Sequence, residues 1–223
     1  LGIPAYIVMP SSAPQVKKDA VKTYGGQITE CEPNIKARKT AAEKIQKETG
    51  ATFLHPSNDL NVIYGQGTAA KELLEDFPDL DIIITSVGGG GLIAGTALAV
   101  DFYAEKCKTI GAEPFEVDDA YRSLKSGKIE TNSSTNTIAD GLKTQLGDKN
   151  FPIIQKFVSE IIRVEEDDII TAMKLIWERM KIVVEPSAAV AFAAVLREKE
   201  KFHGKRVGII ISGGNVDLSN LPF

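Results

Sequence analysis

Residues 82–100 read IIITSVGGGGLIAGTALAV, a β-branched run followed by four consecutive glycines and a run suited to a helix. Glycine inside regular structure costs about 0.5–1 kcal/mol relative to alanine, so Gly88–Gly91 indicate a turn that requires bare backbone. A strand, a glycine loop and a helix N-terminus bring free backbone N–H groups and the positive end of the helix dipole together, which favours an anion. We therefore expect a phosphate site at this loop.

The glycine loop has two other interpretations. The simplest is a tight turn with close packing of helix on strand. A nucleotide triphosphatase is disfavoured, because the loop lacks the Lys-Ser/Thr ending of a Walker A loop. The loop also lacks the spaced glycines of a dinucleotide-binding fingerprint.

Strand-like and helix-like segments alternate on both sides of the loop. This alternation predicts an α/β fold, with parallel twisted sheets covered by helices on both faces. The predicted strands are PAYIVM, QITEC, ATFLH, DIIITSV, KTIGAEP and RVGIII. The predicted helices are SAPQVKKDAVKTYGG, NIKARKTAAEKIQKETG, AAKELLEDF, Leu92 to about Tyr103, DDIITAMKLIWERM and EPSAAVAFAAVLREKEK, whereas residues 116–147 are polar and broken. We expect two units, an incomplete one over 1–55 and a larger one over 56–223.

The bulk composition is that of an ordinary globular protein. The chain has 223 residues, of which 43% are hydrophobic, and a net charge of −4. The charge argues against a nucleic-acid or anionic-membrane partner, and no apolar run reaches the roughly 18 residues of a membrane span. Cys31 and Cys107 form neither a disulfide framework nor a metal spacing, so we expect a reduced, cytoplasmic setting.

Several side chains are candidates for chemistry or for structure. In ISGGN, Ser212 follows a strand and is expected in the same crevice as the glycines, since ligands bind beyond the carboxyl ends of parallel strands; a plain turn serine is the alternative. EPFEVDD supplies carboxylates suited to a hard divalent cation, although a solvated acidic loop is commoner. His55 and His203 match no triad or zinc spacing, and we expect a strand-end and a surface role. Helical spacing predicts one core-facing stripe: Ile169, Ile170, Met173, Ile176, Trp177 and Met180.

The motifs HPSNDLNVIYGQGT, SVGGGGLIAG, GAEP, TIADGL, WERMKIVVEPSAAVAFAAVL and ISGGNVDL occur in this order. Over essentially the whole chain they resemble the serine racemase and threonine dehydratase family, pyridoxal-phosphate enzymes of the tryptophan-synthase-β fold type. The resemblance implies a two-domain homodimer that racemises serine and eliminates serine or threonine to a keto acid and ammonia. A threo-3-hydroxyaspartate dehydratase or a catabolic threonine dehydratase is an alternative. A non-catalytic module that binds a phosphate ligand is the alternative from another class.

The resemblance also implies roles for individual residues around the cofactor. The cofactor-binding positions are Gly88, Gly89, Gly90, Gly91, Leu92, Gly141, Glu185 and Ser212. The glycines and Leu92 match the loop whose amides hold the phosphate, and Ser212 matches the hydrogen-bond partner of the pyridine nitrogen. A serine hydroxyl need not keep that nitrogen protonated, which suits racemisation and elimination. Ser57 stands where the family places a residue beside the ring, often Asn or Phe.

Further sites follow from the same resemblance. Glu113, the carbonyl of Val117, and Asp119 match a magnesium site, with Mn²⁺ or Ca²⁺ as alternatives. Positions that contact an ATP effector are matched by Tyr24, Lys181 and Asn215. The family's Schiff-base lysine, its Ser-Gly-Asn-His loop and its opposing serine precede the first residue here. We therefore assign no catalytic residue within this chain and expect a longer natural protein.

Overall fold

The computed structural model describes residues 2–223. Contacts divide the chain into two compact units, one formed by residues up to 54 with 215–221, the other by residues 55–214 with 222–223. The first unit contains β1 (Tyr6–Pro10), α1 (Gln15–Thr23), β2 (Gln27–Cys31) and α2 (Ile35–Thr49). The second contains α3 (Leu60–Asp76), β3 (Ile82–Ser86), α4 (Gly91–Tyr103), β4 (Lys108–Pro114), α5 (Asp119–Ser126), α6 (Phe151–Phe157), β5 (Val158–Val164), α7 (Glu166–Leu175), α8 (Pro186–Arg197), α9 (Lys199–Phe202) and β6 (Val207–Ile210).

In the first unit, β1 and β2 pair in parallel. Helix α2 begins where the sequence predicts, because the side chain of Asn34 accepts a hydrogen bond from the N–H of Ala37 at 2.8 Å. It ends at Gly50, as predicted. The predicted strand ATFLH was wrong: residues 51–55 form no strand, and Phe53 and Leu54 are 50% and 63% exposed. β-type residues do not make a strand without a neighbouring strand to pair with.

The second unit is built on a four-stranded sheet in the order β5–β4–β3–β6, with every pairing parallel. The parallel α/β prediction is therefore confirmed. All five residues of β3 are buried, as expected of an inner strand that is covered on both faces. Strand β5 and the short helix α6 before it were not predicted from the sequence.

Helices cover both faces of this sheet. On one face, Ile83 packs in a cluster with residues of α3 and α4 such as Ala70 and Val100. Helix α8 covers the other face and contacts all four strands. Helices α3 and α4 approach closely, because a Cβ atom at Gly67 would lie 2.6 Å from the carbonyl oxygen of Gly95.

Two helices differ from their sequence-based predictions. Helix α3 begins at Leu60 rather than at Ala69, because the side chain of Asp59 accepts from the N–H of Asn61 at 2.9 Å and caps it. The predicted core stripe, which spans α7 and the turn after it, holds for Ile169, Met173 and Ile176. Ile170 and Trp177 are half-buried. The last member of the stripe was wrong: Met180 is 56% exposed. Residues Ile176–Met180 form a π-helical turn, which is wider than an α-helical turn and breaks the 3.6-residue phase.

No helix in the described part of the chain combines the length and the apolar character that crossing a bilayer requires.

Candidate functional site

The glycine loop connects β3 to α4 at the carboxyl edge of the sheet. Gly90 has φ 84°, a left-handed conformation that residues with a Cβ atom adopt only at a cost. No side chain among residues 2–223 caps the N-terminus of α4, so its first N–H groups lack a side-chain acceptor. Just before the loop, the hydroxyl of Ser86 is buried without a hydrogen-bond partner among the described residues. The loop thus presents the unfilled donors that an anion would satisfy.

Two other segments pass directly over the glycines. A Cβ atom at Gly89 would lie 2.8 Å from the Cβ of Ser57, and one at Gly88 would lie 3.0 Å from the carbonyl oxygen of Gly141. The structure therefore brings Ser57 and Gly141 against the loop. There is no room here for larger residues.

One residue that holds the glycine loop in place was not predicted from the sequence. The side chain of Asn150 donates to the carbonyl of Gly89 at 2.7 Å and to the carbonyl of Ser57 at 2.9 Å. Its oxygen accepts from the N–H of Gly147 at 3.0 Å, and the residue is fully buried. The only sequence signal is an Asn before Phe-Pro, which predicts an ordinary helix cap, although this side chain makes no capping bond.

The N-terminus of α8 holds the neighbouring loops. The hydroxyl of Ser187 accepts from the N–H of Gly141 at 2.9 Å, and the N–H of Glu185 donates to the carbonyl of Gly213 at 3.1 Å. Ser187, like Asn150, was not singled out in the sequence. Because Glu185 directly precedes α8, the two bonds hold the loop of Gly141 and the loop of Gly213 at the N-terminus of the same helix.

Ser212 follows β6, which pairs directly with β3. Its side chain is exposed, and with Leu92 it lines a groove of about 380 Å³ between the middle of α3 and the end of β6. Ser212 and the glycine loop therefore leave adjacent strands on the same edge. A hydroxyl, a row of backbone amides and a helix N-terminus lie together there, and this set of groups suits a phosphate joined to a polar ring.

A second cluster lies where β4 ends and α5 begins, and we call Glu113 and Asp119 the acidic pair. Both residues are fully buried. Glu113 accepts from the N–H groups of Ala120 at 3.2 Å and Tyr121 at 2.8 Å. Burial and the nearby charge of Asp119 raise the pKa of Glu113 well above its usual range. Burial also raises the pKa of Asp119 to about 6.

The acidic pair has the chemistry of a cation site. Buried carboxylates are costly unless they are paired with a cation or coordinate a metal, and hard divalent cations take carboxylate and carbonyl oxygens. No group of three or more His, Cys, Asp or Glu side chains in the described part of the chain is arranged to hold a metal ion. A cation here would need a further ligand such as the carbonyl of Val117, which lies in a 3₁₀ turn between the two acids.

The neighbouring acid has a different environment. Asp118 forms ion pairs with Arg122 at 2.7 Å and Arg163 at 2.9 Å. The guanidinium of Arg163 also lies 4.4 Å from the ring centre of Phe115 and 4.0 Å from that of Tyr121. Asp118 is thus neutralised by structural partners, which leaves the acidic pair as the candidate metal ligands.

The other predicted residues are all exposed. Tyr24 is 86% exposed in the first unit, where Asn215 is exposed as well, and Lys181 is an exposed residue of the second unit with φ 60°. Their contact with a nucleotide stays a prediction. His203 is exposed as expected, whereas His55 follows no strand and instead accepts from the N–H of Asn58 at 2.9 Å within a turn.

Comparison with known proteins gives a consistent result. A family model described as pyridoxal-phosphate dependent enzyme matches residues 1–213. The chain is 50% identical over 222 residues to a beta-hydroxyaspartate dehydratase of Paracoccus denitrificans (strain Pd 1222), covering 100% of the chain and 70% of that protein. It is 47% identical over 225 residues to a serine racemase of Oryza sativa subsp. indica, covering 99% of the chain and 66% of that protein.

Among solved structures, the maize serine racemase superimposes with a TM-score of 0.94 at 45% identity, covering 98% of this chain and 68% of that one. The chain thus spans about two thirds of the length of these relatives.

Proposed function

Because the chain belongs to the family of pyridoxal-phosphate-dependent enzymes, we propose that it forms the cofactor-binding part of an amino-acid racemase and dehydratase that acts on serine. The Gly88–Gly91 loop is the main observation behind this proposal. Its backbone, free of side chains, leads into a helix N-terminus that no side chain of the described residues caps. Strand β3, which precedes the loop, pairs with β6, which precedes Ser212. The reactions are conversion of L-serine to D-serine and β-elimination of serine or threonine to a keto acid and ammonia. The relatives' names support both reaction types.

Each element of the site has a defined task in this proposal. The amides of the glycine loop and of Leu92 bind the phosphate, while Ser57, Gly141 and Glu185 flank the rest of the cofactor. When bound, pyridoxal phosphate supplies an electron sink for negative charge at the substrate Cα. Ser212 offers a neutral hydroxyl to the pyridine nitrogen, which leaves that sink moderate and suits proton transfer and elimination at the amino acid.

The two outcomes share their first step, removal of the Cα proton. In racemisation a proton returns to Cα from the opposite face. In elimination the β-hydroxyl of serine leaves as water, and hydrolysis of the resulting enamine gives pyruvate and ammonia. We assign neither proton transfer to a residue of this chain.

We propose further that the acidic pair and the carbonyl of Val117 hold Mg²⁺, with Mn²⁺ or Ca²⁺ able to replace it. The burial of both carboxylates, with no cationic side chain among the described residues bonded to either, supports this assignment. The cation would stabilise the β4–α5 connection rather than contact the substrate. A cytoplasmic homodimer and activation by ATP complete the proposal and rest on the family resemblance.

A second candidate substrate is supported by a specific observation. The 50% identity to the dehydratase of Paracoccus denitrificans slightly exceeds the 47% identity to the rice serine racemase. A threo-3-hydroxyaspartate dehydratase would use the same loop and cation, and its elimination would yield oxaloacetate and ammonia.

Turnover tests these proposals. The full-length protein is loaded with pyridoxal phosphate and Mg²⁺ and given L-serine, L-threonine or threo-3-hydroxyaspartate, and D-serine, keto acids and ammonia are measured. D-serine with pyruvate supports the main proposal, whereas oxaloacetate from hydroxyaspartate alone supports the second. Tight binding of pyridoxal phosphate without turnover of any substrate would reduce the chain to a phosphate-binding module. Intact mass after borohydride reduction shows whether the cofactor is covalently attached.

A further inference from the structure

Residues 146–150, which we call the bridging turn, contact both the acidic pair and the glycine loop. At one end, the N–H of Leu146 donates to Asp119 at 3.2 Å. At the other end, the side chain of Asn150 donates to the carbonyl of Gly89 at 2.7 Å. A single short segment therefore connects the two clusters of the site by hydrogen bonds.

The bridging turn is closed on itself and tightly packed. The N–H of Gly147 donates to the side-chain oxygen of Asn150 at 3.0 Å. A Cβ atom at Gly90 would lie 2.6 Å from a methyl carbon of Leu146 and 2.8 Å from that same oxygen. Leu146 and Asn150 are both buried. Since close-packed interiors have few voids that could absorb a displacement, a shift at one end of the turn is transmitted to the other.

The bond to Gly89 also orients the loop. A trans peptide group is planar, and its carbonyl and N–H point in opposite directions. By holding the carbonyl of Gly89 on its own side, Asn150 directs the N–H of Gly90 to the other side of the loop.

We propose that the bridging turn couples the two clusters, so that a divalent cation at the acidic pair tightens phosphate binding at the glycine loop, with Asn150 as the positioning residue. The inference rests on the proposed phosphate and cation sites. A bound cation fixes Asp119, which holds the amide of Leu146, and the turn in turn fixes the loop through Asn150. Because such coupling is reciprocal, phosphate must tighten cation binding by the same factor.

The test is calorimetric titration of the protein with pyridoxal 5′-phosphate and, separately, with inorganic phosphate, in MgCl₂ and in EDTA. For the unmodified protein we expect Mg²⁺ to tighten binding of the cofactor by about fivefold or more. Asn150→Asp keeps the acceptor for Gly147 and removes the donor to Gly89, so it should bind Mg²⁺ normally while its cofactor affinity no longer responds to the cation. If the new buried carboxylate prevents folding, the same titrations are made with Asn150→Ala, for which we expect the same loss of response. Asn136→Asp, the same change at an exposed asparagine outside the bridging turn, should keep the full response.

Each other result overturns the inference in a recognisable way. Cofactor binding that ignores Mg²⁺ in the unmodified protein removes the coupling but leaves the proposed phosphate site intact. A normal response in the Asn150 variants removes the residue's role. Loss of Mg²⁺ affinity in those variants makes Asn150 a support of the acidic pair rather than a link. Failure of either ligand to bind the unmodified protein defeats the proposed function and the coupling together.

Discussion

The hydroxyl of Ser187 accepts a hydrogen bond from the N–H of Gly141 at 2.9 Å, across 46 positions of sequence. Ser187 lies in the first turn of α8 and is buried, whereas Gly141 belongs to a long irregular connection. The bond therefore fixes an otherwise weakly held loop to a rigid helix at the edge where the cofactor is proposed to bind.

Replacing Ser187 by alanine should release this loop. We expect a loss of about 1 kcal/mol in the free energy of unfolding, the usual contribution of one such hydrogen bond, together with weaker binding of pyridoxal phosphate. Urea denaturation and cofactor titration measure the two effects. Ser126→Ala, a change at an exposed serine that bonds only within its own turn, should alter neither quantity appreciably. Unchanged cofactor affinity in Ser187→Ala would show that the Gly141 loop does not line the cofactor.

A single methyl group in the glycine loop should abolish phosphate binding. Gly89→Ala places a Cβ atom 2.8 Å from that of Ser57, so the loop must shift and its amides lose their common direction. Titration with inorganic phosphate and with pyridoxal phosphate should show no saturable binding. The matched control is Gly204→Ala, which strains a left-handed glycine (φ 70°) just before β6, at the opposite edge of the sheet. That control should lower the melting temperature and keep the phosphate affinity; equal losses in both variants would count against a phosphate site.

Removing one charge from the acidic pair should remove the response to metal. Thermal unfolding of the unmodified protein should shift upward with Mg²⁺, because a ligand that binds only the folded state stabilises it. Glu113→Gln should show no shift, because the neutral amide no longer supplies the carboxylate ligand that a hard divalent cation needs. Glu116→Gln, three residues away and exposed, should retain the metal response. If Mg²⁺ still raises the unfolding temperature of Glu113→Gln, the cation binds at a different site.

The metal-free protein should lose stability as the pH rises from about 4 to about 6. The pKa of Asp119 is raised by burial from 3.8 to about 6, so in this window the folded state holds a proton that the unfolded chain has released. Stability falls with pH wherever the folded state binds more protons. Because other carboxyls such as Asp148 have lowered pKa values and act in the opposite sense, the quantity to measure is the difference in unfolding free energy between the unmodified protein and Asp119→Asn in EDTA. A pH-independent difference would contradict the raised pKa.

The parts of the fold that could be predicted are those specified by local chemistry. Asn34 and Gly50 mark the ends of α2 because capping depends on a few adjacent atoms. Strand β3 and the loop after it could be predicted because the β-branched run indicates a buried strand and the four glycines indicate a turn. Local sequence also brought the carboxylates of EPFEVDD close together, and the family resemblance selected Glu113 and Asp119 from them.

The features that the sequence did not predict correctly depend on contacts between residues that are distant in the sequence. ATFLH has the composition of a strand but forms none, and Met180 leaves the core face because a π-helical turn changes the phase. Asn150 and Ser187 act on residues 61 and 46 positions away, and neither distance can be inferred from a single sequence without the fold. A prediction of the site from motifs therefore finds the groups that would meet the cofactor and misses those that hold them in place.

The contact between Gly67 of α3 and Gly95 of α4 has a dynamic consequence. Because no side chain separates the two helices at this contact, we expect their amide hydrogens to exchange with solvent as one cooperative unit. The first residue of α4 is the last glycine of the loop, which makes the loop's rigidity a property of the helix pair. A substitution that separates the helices would therefore speed amide exchange at Gly91 without touching a single atom of the proposed phosphate site.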